Sequence, residues 1–464
     1  MNRASRVKNV SQKYWLPLAI VMLLSVCGLA VLRGSSAATP FISSEAENGS
    51  LADGAIVNAD TGASMAKAVK FNRPAGPPST TTRGSFVERP CTRTYTLSGM
   101  QVGTTGDAVA NGNRMRAVLA AAVSGDCITV AAGHYRLSGN IEFTVPNVTL
   151  KGLGANREAV WFEHTTESRA LFMIKAGGIH LYNFTHRVFG TARSSLGQSG
   201  EGNIWAQGGH SGLRMQDVLA WGSRDAAIFM YGVHNFEFNR VESRDSMSDA
   251  YHITHGSSGG KWFDCVSRNS GDDGIGIVGY DSGTALVPHH MTVVRHHVAG
   301  QTWGRGIGIV HSNTLDFYGP TLIEQSAGAA VIIAREPYYG TQSVYDVRFY
   351  GELRLRKSNT RQEVDHGAIH INNPDTLGSI ERVLFEGPVI AVDTGVLRTT
   401  MPSAQFWAHG SGKIQAEIRN MQFYGRGPTT RLIKDVSSTS SVNAVGWSNT
   451  TPYLAAEPPY PLSN

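Results

Sequence analysis

Charge is scarce in this chain: only 17% of its 464 residues are Asp, Glu, Lys or Arg. That is too little for a fold of long, solvated helices. No run of Lys and Arg with interleaved aromatics occurs, which argues against a nucleic-acid partner. Long apolar runs are missing too, with one exception, the stretch from Tyr14 to Leu32, which Arg3, Arg6, Lys8 and Lys13 precede. Nineteen residues in helical form span roughly 28 Å, close to the thickness of a bilayer core. Residues 1–32 therefore read as a cleaved signal or an uncleaved anchor, and either puts the rest of the chain outside the cytoplasm. Cysteine is limited to four residues. Cys27 fills the apolar run. Of the remaining three, Cys91 and Cys127 can form a disulfide outside the cell, and Cys265, in "KWFDCVSR", reads as a small buried hydrophobe.

Glycine, by contrast, is plentiful at 52 residues, which points to many tight corners between short strands. The formal net charge of +5 suits an acidic partner only weakly, because four of the cations sit in the N-terminal segment. Residues 33–88 read as a spacer. Within it, "FISSEAENGSLADGAIVNADTGASMAKAVKF" resembles the opening of β-sandwich carbohydrate-binding modules but is too short to be one, and a Pro/Ser/Thr/Gly linker follows. From Gly112 the pattern changes to a short apolar-faced helix, a turn at Gly125–Asp126, and a strand at Cys127–Val130.

Further on, a six-residue unit recurs. It begins at Glu201, Asp225, Asp249 and Asp273 at steps of 24 residues, then at Arg305, Ala329 and Gly367 after steps of 32, 24 and 38. Its third and fifth residues are apolar in most copies (Ala227/Phe229, Tyr251/Ile253, Ile275/Ile277, Ile307/Ile309, Val331/Ile333, Ile369/Ile371), the alternation of a strand with one buried face. A repeat this short is one coil of a solenoid; a propeller blade is about 40–50 residues long. The fold expected is all-β, a right-handed parallel β-helix over residues 89–440 with a capping helix at its start, and a tail over 441–464. The longer steps place loops at 280–290, 336–343 and 357–365, all flanking one face.

Stacking such coils about 4.8 Å apart would gather the first residues into an outward ladder of Glu201, Asp225, Asp249, Asp273 and Arg305, with Asp272 alongside. Carboxylates that close raise one another's pKa, a cost that a catalytic surface uses. An outward column Ile228, His252, Gly276, Gly308, Ile332 is expected beside them, its glycines clearing a shelf for a flat ligand. A second row, Tyr231, His255, Gly279, His311 and Arg335 with Glu336 next to it, forms the facing wall. Tyr338 and Tyr339 are candidate sugar-stacking platforms.

The spacing and motifs resemble polygalacturonase-type glycoside hydrolases of the pectin lyase-like superfamily. "MSDA" at 247–250 matches that family's first motif and "GDDG" at 271–274 its second. The resemblance implies Asp272 as general acid, with Asp249 and Asp273 sharing the attacking water and about 6.5–9.5 Å between acid and base. The third motif departs, with Arg305 where the family has histidine. So does the fourth, where Ile332 and Ala334 replace the cations that grip a uronate. The expectation is an extracytoplasmic, monomeric enzyme that hydrolyses a polysaccharide without a cofactor. The alternatives are a Ca²⁺-dependent polysaccharide lyase, with Asp225, Asp249 and Asp273 on the ion and Arg305 as base, and a non-catalytic glycan-binding surface protein.

Overall fold

A strand with one apolar face must bury that face against another layer, and in a solenoid the other sides of the same coil supply it. The computed structural model describes residues 55–59, 67–71, 88–165, 171–188, 202–280, 286–358, 360, 366–392, 406–424, 433–435, 440–445 and 448–450. The chain divides into two compact units, 1–79 and 80–464. In the first, Ala55–Ala59 and Lys67–Phe71 pair antiparallel as a hairpin. The expected membrane-targeting segment over 1–32 lies outside the described residues. No helix among those described is long and apolar enough to cross a membrane.

The second unit is a parallel β-helix. One of its faces is an 11-stranded sheet. In chain order its strands are β1 (Ile141–Phe143), β2 (Phe172–Ile174), β3 (Ile204–Gln207), β4 (Ile228–Tyr231), β5 (Tyr251–Thr254) and β6 (Ile275–Val278). The series continues with β7 (Ile307–Val310), β8 (Val331–Ala334), β9 (Ile369–Asn372), β10 (Phe406–His409) and β11 (Ile433–Asp435). Between them each coil crosses two further faces, as at Lys261–Phe263 and Val266–Ser270, whose neighbours above and below also pair in parallel. Pairing continues to Thr450 through Ser440–Val445 and Ser448–Thr450, so the winding enters the stretch expected as a tail.

Corners between the two further faces are made by single residues with left-handed backbone: Asn183, Asp217, Arg240, Asp264 and Arg295, at φ of 54°, 52°, 51°, 54° and 52°. Asn and Asp tolerate that conformation through local hydrogen bonds; arginine does so less readily. Here each arginine is held by the coil before it. Arg240 donates through Nε and Nη2 to Asp217, both at 2.6 Å, and Arg295 binds Asp264 in the same forked way at 2.6 and 2.8 Å. Inside, like residues stack on like. The rings of Phe317 and Phe349 lie 4.4 Å apart and nearly parallel, and Phe385 continues the stack at 4.8 Å.

The open N-terminal end is covered by α1 (Ala108–Ala121), whose N-cap Asp107 accepts hydrogen bonds from the N–H groups of Val109 and Ala110. Met115 and Leu119 of α1 enter the core. The helix starts earlier than the sequence suggests because this cap, not the first apolar residue, sets its beginning. A disulfide joins Cys91 to Cys127. Cys265 is buried in the core.

Burial also strips several histidines of charge. It lowers His164 to about 4 and His296 to about 3, and takes His186 and His370 well below the usual imidazole value. Unfolded imidazoles, near 6.5, take up protons before these folded ones do. Their stability contribution is therefore complete above about pH 6.5 and is lost as pH falls towards the folded values, by about 2 kcal/mol per histidine at pH 5. The buried carboxyl of Asp273, described below, works in the opposite direction. The thermal midpoint should fall between pH 7 and pH 5, and His296→Gln should flatten that slope. A slope the variant leaves unchanged would show that these imidazoles do not govern it.

Candidate active site

Strand register decides which side chains meet. Tyr251 of β5 pairs with Ile275 of β6, and Ile275 with Ile307 of β7, so Asp249, Asp273 and Arg305 stack two residues ahead of their strands. Upstream, Ile228 pairs with Tyr251 and Ile204 with Ile228. That register puts Ala226 and Gly202 in the ladder, one place away from the expected Asp225 and Glu201. The cause is a turn. His234 pairs with Ser258 and with Ser211, so the turn from Tyr231 to His234 has one residue fewer than those from Gln207 to Ser211 and from Thr254 to Ser258. Asp225 therefore aligns with Ser248 and Asp272. Its Oδ1 accepts the N–H of Ala226 at 3.0 Å, a turn-stabilising contact. Glu201 lies outside the described residues.

The same slip turns β4 over. Ile228 and Met230 face the core, both 0% exposed, and Phe229, expected inside, faces out. The outward column in register is thus Trp205, Phe229, His252, Gly276, Gly308, Ile332, His370 and Trp407. Ile228 does not belong to it.

Asp249, Asp272 and Asp273 form a cluster in which one oxygen from each lies within 4.8 Å of the others, a closer grouping than the roughly 6.5–9.5 Å expected between acid and base. Two oxygens that share one water sit about 4.5 Å apart, so the cluster is of a size to hold a water between acids. All three are buried. Asp249 accepts the backbone N–H of Asp273 at 2.9 Å through Oδ1, and its Oδ2 lies 2.6 Å from His252 Nδ1. Asp273 accepts the N–H of Arg305 at 2.8 Å, and the guanidinium of Arg305 reaches Asp273 at 3.2 Å and Glu336 at 3.4 Å. Glu336 is anchored by its own N–H, which donates to Thr341 Oγ1 at 2.5 Å.

Burial pushes the Asp273 carboxyl well above the ordinary carboxylate range; Arg305 opposes this, while Asp272 and Asp249 add to it. Burial works against the charge of Arg305, but Asp273 and Glu336 outweigh it and raise its pKa above the usual arginine value. Asp273 thus holds its proton more tightly than an exposed aspartate does, and the arginine stays charged. The same acids are the group that could hold a cation. Asp272, not Asp225, completes that set.

Glycines 276 and 308 do something other than open a shelf. A Cβ on Gly276 would meet Asp249 Oδ2 at 2.6 Å, and one on Gly308 would meet Asp273 Oδ2 at 2.1 Å. The space they vacate holds the carboxylates themselves, each lying over the glycine of the next coil. In the facing row, His255, Gly279, His311 and Arg335 are in register, each following its strand by one residue. Tyr231 sits one place earlier, yet its ring stacks on His255 at 3.7 Å. His311 is buried with Nδ1 3.2 Å from the Gly279 carbonyl. Arg335 is buried and paired with Asp375.

Sequence reasoning misses Tyr280. Its ring lies 6.0 Å from and nearly parallel to that of His252, which in turn lies on Phe229 at 4.9 Å. Tyr339 touches Tyr280 edge-on at 6.0 Å, so the loop after β8 reaches the acids through two rings. Tyr338 is 90% exposed. An aromatic directly after the second row is the available signal for Tyr280, but its stacking depends on a coil 24 residues earlier.

No family model matches the sequence, and no curated protein matches it. Among solved structures, the A-module of mannuronan C-5 epimerase AlgE6 from Azotobacter vinelandii is similar at 11% identity, covering 77% of this chain and 100% of its own, with a TM-score of 0.50. The catalytic unit of the GH87 alpha-1,3-glucanase from Streptomyces thermodiastaticus strain HF3-3 is 17% identical over 77% of this chain and 69% of its own, with a TM-score of 0.49. The likeness is one of fold, the parallel β-helix.

Gly306 and Gly308 separate support from chemistry. A Cβ on Gly306 would meet the Ala330 carbonyl oxygen at 2.4 Å and Ile323 Cγ2 at 2.6 Å, so Gly306→Ala should cost about 1–3 kcal/mol of stability. At Gly308 the obstacle is a side chain, and Gly308→Ala should leave the thermal midpoint within a few degrees while rotating Asp273 away from Gly308 and Arg305. A crystal structure of Gly308→Ala with Asp273 unmoved would contradict this packing.

Proposed function

We propose that this protein is an extracytoplasmic enzyme that hydrolyses a polysaccharide, with Asp249, Asp272 and Asp273 as its acid and base groups. The observation that carries this reading is the cluster itself: three buried carboxyls from two coils, within reach of one shared water, beside the guanidinium of Arg305. A structural surface avoids such repulsion; glycosidic hydrolysis uses it. One carboxylic acid protonates the leaving glycosidic oxygen. A carboxylate takes a proton from water, whose oxygen bonds to the anomeric carbon as the old C–O bond breaks. Solvent then restores both groups to their starting states.

Resemblance to the polygalacturonase type assigns the donor to Asp272, with Asp249 and Asp273 on the water. The electrostatics of the free site favour a proton on Asp273. His252 orients Asp249. Arg305 bridges Asp273 and Glu336, and because both acids keep it charged it is poorly suited to remove a proton, which favours hydrolysis over elimination. His255, His311, Arg335 and Tyr339 are assigned to the walls of the cleft. The disulfide between Cys91 and Cys127 supports a location outside the cytoplasm, reached through the N-terminal segment. A monomer is expected.

Asp272→Asn should lower turnover by about 10²–10⁴-fold with the fold intact. If Asp272 is the donor, the loss should shrink on aryl glycosides whose leaving group needs no proton; if Asp273 is, that rescue should belong to Asp273→Asn instead. Unaltered turnover in both variants would remove the cluster from the chemistry. Products should carry the mass of one added water. Unsaturated, ultraviolet-absorbing ends together with loss of activity in a chelator would instead establish elimination.

A further inference from the structure

The charge balance around the three aspartates and the side chains that flank them carry an inference about the substrate, one that rests on the polysaccharide reading above. An anionic glycan brings a carboxylate or sulfate on most of its sugars, and a site for it needs cations to offset them. The named charges at this site run the other way: Asp249, Asp272, Asp273 and Glu336 against Arg305. Arg305 is already engaged by Asp273 and Glu336, and Arg335 by Asp375. Even with one carboxyl protonated the cluster is net negative, and in a buried setting it would repel a uronate strongly.

What flanks the acids is planar or apolar. On one side of Gly276 and Gly308 the outward column holds Trp205, Phe229 and His252; on the other it holds Ile332, His370 and Trp407. The two histidines are placed alike. His252 lies flat on Phe229 at 4.9 Å and 14°, and His370 lies flat on Trp407 at 4.9 Å and 11°. They are four strand steps apart, about 19 Å along the stack. Burial keeps His370 uncharged. His252 Nε2 and both ring nitrogens of His370 are buried without a hydrogen-bond partner among the described residues. The uncharged imidazole of His370 offers one donor and one acceptor, the complement of a sugar hydroxyl, whereas a carboxylate wants donors alone. Exposed rings stand at the rim: Trp303, beside the Gly304 that packs on Asp272, and Tyr339. Such ring faces suit the C–H faces of uncharged pyranoses.

We infer that the substrate is an uncharged pyranose polysaccharide laid along the strand stack, with His252 and His370 meeting its hydroxyls on either side of the three aspartates. The test uses the full chain carrying Asp272→Asn in affinity electrophoresis. Its gels contain neutral polymers (α- and β-glucans, mannan, galactan, xylan) or acidic ones (polygalacturonate, alginate, hyaluronan), each with and without EDTA. The expected result is retardation by at least one neutral polymer, at least about tenfold stronger than by any acidic one and unaffected by EDTA. Retardation by acidic polymers alone, retardation that needs a divalent cation, or none at all overturns the inference. Failure of the enzymatic reading looks different. A wild-type chain that releases reducing ends from a uronate polymer, and loses that activity with Asp272→Asn, keeps the hydrolase and sinks the neutral substrate. A neutral polymer that is bound but never cleaved does the reverse.

Discussion

Parallel pairing of one coil with the next, at the spacing of backbone hydrogen bonds, is the constraint from which the other features follow. Because the pairing is in register, any outward residue type that recurs at the coil length becomes a continuous line on the surface. The phenylalanine stack in the interior, the aspartate–arginine pairs at the corners and the carboxylates outside are three results of one rule. Corner arginines at left-handed φ are tolerable because the aspartate below each one is held at hydrogen-bond distance by the same pairing. Without that neighbour, the backbone strain would have no offset.

At the candidate site the rule works against electrostatics. Pairing brings Asp249, Asp272 and Asp273 together whether or not their charges permit it, and the surrounding structure supplies the compensation. Arg305, in the next position of the ladder, offsets one charge. Backbone N–H groups of Asp273 and Arg305 each meet a carboxylate oxygen of the coil before. Glycines at 276 and 308 leave those carboxylates room to lie flat. Burial, with the repulsion that remains, raises the pKa of Asp273, an acid that keeps its proton where an exposed aspartate would lose it. A site that sets a carboxyl of raised pKa beside two further carboxyls is equipped to give and take protons at one bond.

Much of this arrangement is legible in the amino-acid order alone. The apolar alternation of the six-residue units reveals strands, their spacing reveals coils, and "GDDG" one coil after "MSDA" brings the three aspartates together. Legibility fails where the coil length changes. The Tyr231–His234 turn is one residue short, but aspartates at 225 and 249 preserve a spacing of 24, so the acids align convincingly while the strands do not. A slip of one residue exchanges the two faces of a strand, which is why the spacing puts Phe229 inside and Ile228 outside, the reverse of their places in the fold. The glycines stand out as unusual, but sequence cannot say whether a ligand or a neighbouring carboxylate fills their space.

The sequence by itself determined the winding, the inward faces of most coils and the identity of the acidic cluster, because each depends on local alternation and on separations along one chain. Tertiary structure decided what crosses between coils. It decided that Asp225 caps a turn, that Tyr280 rests on His252, that Arg335 pairs with Asp375, and that aromatic rings flank the acids. Those contacts depend on register and on where side chains end in space, and a periodic pattern leaves both undetermined by a single residue.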